Sequence, residues 1–165
     1  MGTIKIRVRD SLISGLINGV INGFIAHLHF KHLDSVPMSL NVIAHEQTSV
    51  WGQAVSLTFG LGIILSLITS KLFTHQLIKD HPEKQPQLSS SFWSTQLPIA
   101  LSHAAALFGW FVVTAVIWTK YVGEVMVSPT TAALLVGLFA FLVTIVVEIR
   151  TKRSVIYRKV SIFDK

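Results

Sequence analysis

The chain has 165 residues, 51% of them hydrophobic and only 13% charged; 14 Lys and Arg stand against 8 Asp and Glu, and there is no cysteine. A soluble domain is normally about a quarter charged, so an ordinary soluble enzyme and a disordered chain are both excluded. The missing cysteine removes thiol catalysis, disulfide frameworks and Cys-ligated zinc or iron–sulfur centres.

The charges are clustered as well as scarce. Uncharged stretches cover Ser11–Phe30, Gln47–Ser70, Gln85–Thr119 and Val125–Val147, and a lipid-spanning helix needs about 20 mostly apolar residues. The expected fold is an all-α integral membrane protein, one membrane domain in which four transmembrane helices form a compact bundle. The spans are predicted at 11–30, 48–72, 97–122 and 130–149. An outer loop fills 31–47, a polar loop 73–96, and a basic tail 150–165.

The first span follows Lys5, Arg7 and Arg9. It is too long and too rich in Gly and Asn for a signal-peptide core, and no small-x-small cleavage site follows Ala26, so it is read as a mature helix. In the loop after it, Val36, Met38, Leu40 and Val42 alternate with Pro37, Ser39 and Asn41, the period of an extended segment. The stretch from Thr74 to Thr95 is polar and reads as a tether. Pro98 and Pro129 suit the first turns of the third and fourth spans, which a tight turn around Gly123 and Glu124 joins. No duplication relates the first hairpin to the second in sequence.

Orientation follows the basic residues. With the N-terminus inside, Lys5, Arg7, Arg9, Lys71, Lys79, Lys84, Arg150, Lys152, Arg153, Arg158, Lys159 and Lys165 lie on the inner side, and only Lys31 and Lys120 on the outer. Both termini are therefore expected in the cytoplasm. The tail RTKRSVIYRK becomes juxtamembrane, its counter-charge anionic lipid headgroups at about 1 kcal/mol per basic residue. Bases dispersed as topological anchors without a recognition module do not point to nucleic acid. Trp51, Trp118 and Tyr121 fall near the outer boundary and Trp93 near the inner one, where amphipathic rings sit.

The first helix carries the most information. At about 100° per residue, Ser11, Ser14, Gly15, Asn18, Gly19, Asn22, Ala26 and His29 share one sector, opposite Ile13, Leu16, Ile17, Val20, Phe24 and Leu28. Gly15, Gly19 and Gly23 form two overlapping G-x-x-x-G units, which let helix backbones approach closely in lipid. Asn18 and Asn22 need buried partners there. They are read either as glue in a packing seam, as the lining of a polar path, or as part of a homo-oligomer contact. The second span offers two stripes, Gln53, Ser56 and Gly60 on one side and Thr58, Gly62, Ser66 and Thr69 on another. The third has Ala104–Ala106 and Gly109, the fourth Ala133, Gly137, Ala140 and Thr144.

Seven histidines raise metal and haem chemistry. His29 and His32 share a helix face, with His45 in the same outer loop, but metal binding wants three converging ligands, so these are weak candidates and no cofactor is expected. His103 lies about 9 Å along the third span, too far in depth from His29 for a shared haem. It is an ionisable group inside a span, a functional candidate by position, shallow enough to reach the inner headgroups. Glu148 sits beside Arg150 and Lys152, where a local salt bridge is expected. No Ser/His/Asp constellation, phosphate-binding loop or H-E-x-x-H occurs, and the chain is not read as an enzyme.

The runs GLINGVINGFI, VPMSLNVIAHEQT and SPTTAALLVGLFA resemble small bacterial four-span membrane proteins labelled "permease". The resemblance covers most of the chain and implies a multi-pass protein of the bacterial inner membrane; it carries over no functional residue. Two roles follow as expectations: an oligomeric permease or channel for a small solute, with Asn18, Asn22, Gln53 and His103 along the route, or a non-catalytic partner or assembly subunit that docks on another membrane protein through the Gly/Asn stripe.

Overall fold

The computed structural model describes residues 6–39, 48–80 and 92–163, with side chains as far as Tyr157. Helix α1 spans Val8–Phe30, strand β1 Val36–Met38, α2 Val50–Asp80, α3 Phe92–Tyr121, β2 Val125–Val127 and α4 Pro129–Phe163. All four helices are long and apolar enough to cross a membrane, their most apolar windows having mean hydropathies of 1.4, 1.7, 1.8 and 2.6. The chain is a multi-pass helical bundle whose outer surface is apolar: Leu16, Val20, Phe24, Trp110 and Leu134 are each more than 60% exposed, a surface suited to the lipid of a bilayer.

Several boundaries differ from the sequence reading. Helix α1 starts before Ser11, α2 runs on to Asp80 and α4 continues to Phe163, because backbone hydrogen bonding does not stop where hydropathy does. The tether is therefore shorter than 73–96, and residues 81–91 lie outside the described residues. Pro98 stands inside α3 rather than in its first turn, since that helix begins at Phe92. Pro129 does open α4, where the Thr131 N–H donates to Ser128 Oγ at 3.2 Å. Ser49 caps α2 likewise, accepting from the Gly52 N–H at 3.0 Å.

The alternating segment forms β1, paired antiparallel with a strand that the sequence did not suggest. Val36 faces Val127, Pro37 faces Met126 and Met38 faces Val125. Gly123, at φ +81, makes the turn into β2; a side chain there would strain the left-handed backbone. Leu40 and Val42 lie outside the described residues. The ribbon lies over an apolar cluster of Ala26, Phe30, Val36, Val50, Trp51 and Val136. Trp51 is buried at this end, stacked on Phe139 at 5.2 Å and tilted against Trp118 at 6.3 Å. This is the ribbon end of the bundle. Val8, Asp80, Phe92 and Phe163 mark the opposite, terminal end.

Helix α1 packs chiefly on α4, α3 chiefly on α2, and α2 and α4 pack on each other. That arrangement is two-fold. Exchanging α1–β1–α2 for α3–β2–α4 maps every one of these contacts onto another, and the antiparallel ribbon pairs about its Pro37–Met126 centre. The burial pattern repeats with it. At one fixed offset, Ala54, Thr58, Gly62, Ser66, Ser70 and Leu77 of α2 correspond to Ala132, Val136, Ala140, Thr144, Glu148 and Val155 of α4, and all of them are buried. At another, Gly15, Gly19 and Phe30 of α1 correspond to Ala100, Ala104 and Ala115 of α3, again all buried. The repeat lies in small-residue placement and connectivity rather than in residue identity, so the sequence conceals it.

The α1–α4 seam is the tightest contact. A Cβ added to Gly19 would lie 2.9 Å from the Gly137 carbonyl oxygen, and one added to Gly137 would lie 2.8 Å from the Gly19 carbonyl oxygen. Replacing Gly137 by Leu is expected to destabilise the bundle by at least about 1–3 kcal/mol, the usual range for an overpacked core. Gly60, with nothing within 4 Å of an added Cβ, should accept Ala at little cost. Thermal unfolding of the two variants in detergent micelles checks the contrast.

Candidate functional site

The Gly/Asn stripe of α1 faces α4. Gly15 and Gly19 are buried, Asn18, Asn22 and Gly23 half-buried. Asn18 Nδ2 donates to Thr144 Oγ1 at 2.6 Å, and that hydroxyl donates to the Ala140 carbonyl at 2.7 Å. Asn22 turns back on its own helix, donating to the Asn18 carbonyl and to Asn18 Oδ1, both at 2.9 Å. The two amides are hydrogen-bonded within a helix–helix seam. Of the α2 stripes, Thr58, Gly62, Ser66 and Thr69 are buried, whereas Ser56 and Gly60 face outward.

Gln53 is elsewhere. Its Nε2 lies 3.1 Å from His29 Nδ1 at the ribbon end, an exposed contact. Asn18, Asn22, Gln53 and His103 therefore do not converge on one route, as the permease expectation had them do. Among the described residues no three His, Asp or Glu side chains gather as metal ligands; His32 is exposed, and His45 lies outside the described residues.

The polar chemistry is concentrated near the terminal end instead. Glu148 is buried and forms a salt bridge with Lys152, one turn on, at 2.8 Å. The same Lys152 ammonium donates to the buried Ser11 Oγ at 2.8 Å, tying α1 to α4. Of the two bases beside which a local salt bridge is expected, Arg150 and Lys152, it is Lys152 that makes it, because the i, i+4 step places the two side chains on one face. Beside it, Ser66 Oγ and Thr151 Oγ1 meet at 3.0 Å between α2 and α4.

His103 is buried, not reaching toward headgroups: it is 8% exposed, and its Nδ1 has no partner among the described residues. Ser70 Oγ, on the same face of α2 as Ser66, is equally buried and unpartnered. No family model, curated protein or solved structure matches this chain.

Sequence reasoning missed Ser70, Thr151 and the link from the Glu148–Lys152 pair to Ser11. The signal for the last two was the helical step itself: continuing the fourth-span seam past Thr144 by three or four residues reaches Glu148, Thr151 and Lys152. Ser70 was passed over because it stands beside Lys71, where the apolar stretch ends.

Two sets of variants test these assignments. Lys152→Met strands a buried carboxylate and is expected to cost about 3–5 kcal/mol, the usual penalty for removing one partner of a buried pair. Adding Glu148→Gln should recover most of that loss in chemical unfolding. Across the other seam, a cycle of Asn18→Ala and Thr144→Val should give a coupling of about 0.6 and below about 2 kcal/mol, the scale of interhelical hydrogen bonds in lipid.

Proposed function

We propose that the chain is a permease-like protein of the bacterial inner membrane, without catalytic chemistry of its own, that passes a small uncharged polar solute and works as an oligomer. The observation that carries this reading is the kind of polar group buried between the helices. Ser66, Ser70, His103 and Thr151 are all buried in the half of the bundle toward the terminal end, none of them carries a fixed charge, and two of the four lack partners. Fixed charge would suit an ion; hydroxyls and an imidazole suit a neutral molecule that both donates and accepts.

The two-fold adds support. Repeats related by an axis along the membrane normal occur in secondary transporters, with the binding site at the interface of the repeats. Here that interface comprises α1 against α4, α3 against α2 and α2 against α4, and Ser66 and Thr151 bridge the last of these. The asymmetry of basic residues supports placing the terminal end in the cytoplasm. Docking through the Gly/Asn stripe is the weaker role, since α4 already occupies that face.

Purified protein in liposomes should speed glycerol- or urea-driven swelling over empty vesicles in stopped-flow light scattering. No acceleration, from protein that is strictly monomeric in lipid nanodiscs, overturns the reading. Reporter fusions after Lys84 and Lys165 should both report cytoplasm; either one outside reverses the orientation.

A further inference from the structure

The two-fold pairs the α1–α4 seam with the α3–α2 seam, and the two are chemically unequal. The offset that takes Gly19 to Ala104 takes Asn18 to His103; the offset that takes Gly62 to Ala140 takes Ser66 to Thr144. His103 and Ser66 are thus the counterparts of Asn18 and Thr144. The first pair is joined at 2.6 Å. In the second, the Ser66 hydroxyl is turned to Thr151, and His103 Nδ1 is left unpartnered.

The same comparison extends toward the terminal end. The Ser11–Lys152–Glu148 network corresponds to Gln96, Thr74 and Ser70. An ion pair fastened by a hydroxyl in one seam is replaced by three uncharged polar side chains in the other. Ser70 is buried without a partner, while Thr74 and Gln96 are half-exposed beyond it. Toward the ribbon the seam is shut, since a methyl group on Gly62 would sit 3.0 Å from both Cα and Cβ of Ala104.

We infer that the α2–α3 seam holds a polar site, open only at the terminal end, that takes a small uncharged molecule with both a hydrogen-bond donor and an acceptor. Ser70 and His103 supply the unmet groups at its floor; Thr74 and Gln96 stand at its mouth. Leaving a buried hydroxyl and a ring nitrogen unbonded carries the desolvation penalty of each group, and water or a solute of the same hydrogen-bonding kind removes that cost. The site locates substrate binding in the proposed permease and rests on that reading for its substrate.

The absence of cysteine makes the test direct. Single variants Ser70→Cys, Thr74→Cys and Thr58→Cys are placed in sealed vesicles and treated with a membrane-impermeant thiosulfonate from each side. Thr58 lies on the same buried face, beyond the Gly62–Ala104 closure. Ser70→Cys and Thr74→Cys should label from the terminal side alone, and Thr58→Cys from neither. Labelling of Thr74→Cys without Ser70→Cys overturns the site.

Unaltered protein gives a second measurement free of folding effects. In water-edited solid-state NMR, the His103 ring nitrogens should receive magnetisation from water, and silence there counts equally against the site. Urea and water flux separate the occupants and the two readings. Ser70→Ala should slow urea flux about tenfold, as one lost hydrogen bond to the solute would. Water reaching the site with no flux of urea or glycerol confines the occupant to water and removes the permease. Flux with Ser70→Cys unlabelled keeps the permease and removes the site.

Discussion

Within lipid the hydrophobic effect no longer distinguishes the inside of a bundle from its outside, so association depends on how closely backbones approach and how well polar groups are met. The contact between Gly19 and Gly137 meets that condition for α1. Apart from this seam α1 has little to hold it: Leu16, Val20 and Phe24 point outward, and its chief partner is α4. The glycines bring the backbones together, and only at that distance does Asn18 reach Thr144 at 2.6 Å and Lys152 reach Ser11 at 2.8 Å. Polar specificity is downstream of close packing here.

The two-fold follows from how the hairpins are exchanged. Each outer helix packs against the inner helix of the other unit, so neither hairpin closes a core alone and the pair is fastened at two seams. The strands complete the exchange at the ribbon end, where both connections pair rather than compete for the same space. Two seams with one geometry need not share one chemistry. Glycine against glycine gives the tightest approach; Gly62 against Ala104 is looser by a methyl group. The side chains flanking that second contact differ too, with His103 where the first seam carries Asn18 and Ser66 where it carries Thr144.

The four-helix architecture was legible because crossing lipid demands a run of apolar length that little else in a sequence imitates. The stripe on α1 was legible for a related reason: eight small or polar residues on one sector opposite Ile and Leu have to face protein. What stayed hidden involved relations between segments. Gly19 and Gly137 are each visible as small residues, but nothing in either helix says that they meet. The strand at Val125–Val127 was hidden because three residues of β propensity beside a turn acquire meaning only when Val36–Met38 arrives opposite. His103 looked shallow by distance along its span, yet it is buried by the packing of α3 in the bundle, which the span itself does not contain. The terminal-end network was obscured by ending α4 at the last hydrophobic residue, whereas the helix and its buried face continue through Thr151 and Val155.

The inequality of the two seams has a mechanical consequence. Separating α1 from α4 would break the Lys152–Ser11 and Asn18–Thr144 hydrogen bonds, while the Glu148–Lys152 pair, within α4, would stay in contact. Separating α2 from α3 breaks no charged contact among the described residues: the van der Waals closure at Gly62 and Ala104 gives way, and two groups that already lack partners become free to find them. The α1–α4 seam is thus fastened by hydrogen bonds as well as packing, whereas α2 and α3 are held by packing, with Trp51 against Trp118 and Phe59 against Phe108. A solute entering from the terminal end would meet Thr74 and Gln96 first and Ser70 and His103 last, with the Gly62–Ala104 contact as the barrier ahead of it. Gly62 adds to that barrier only by nearness, so a shift of α3 by the width of a methyl group would relax it without unsatisfying a single hydrogen bond in the other seam.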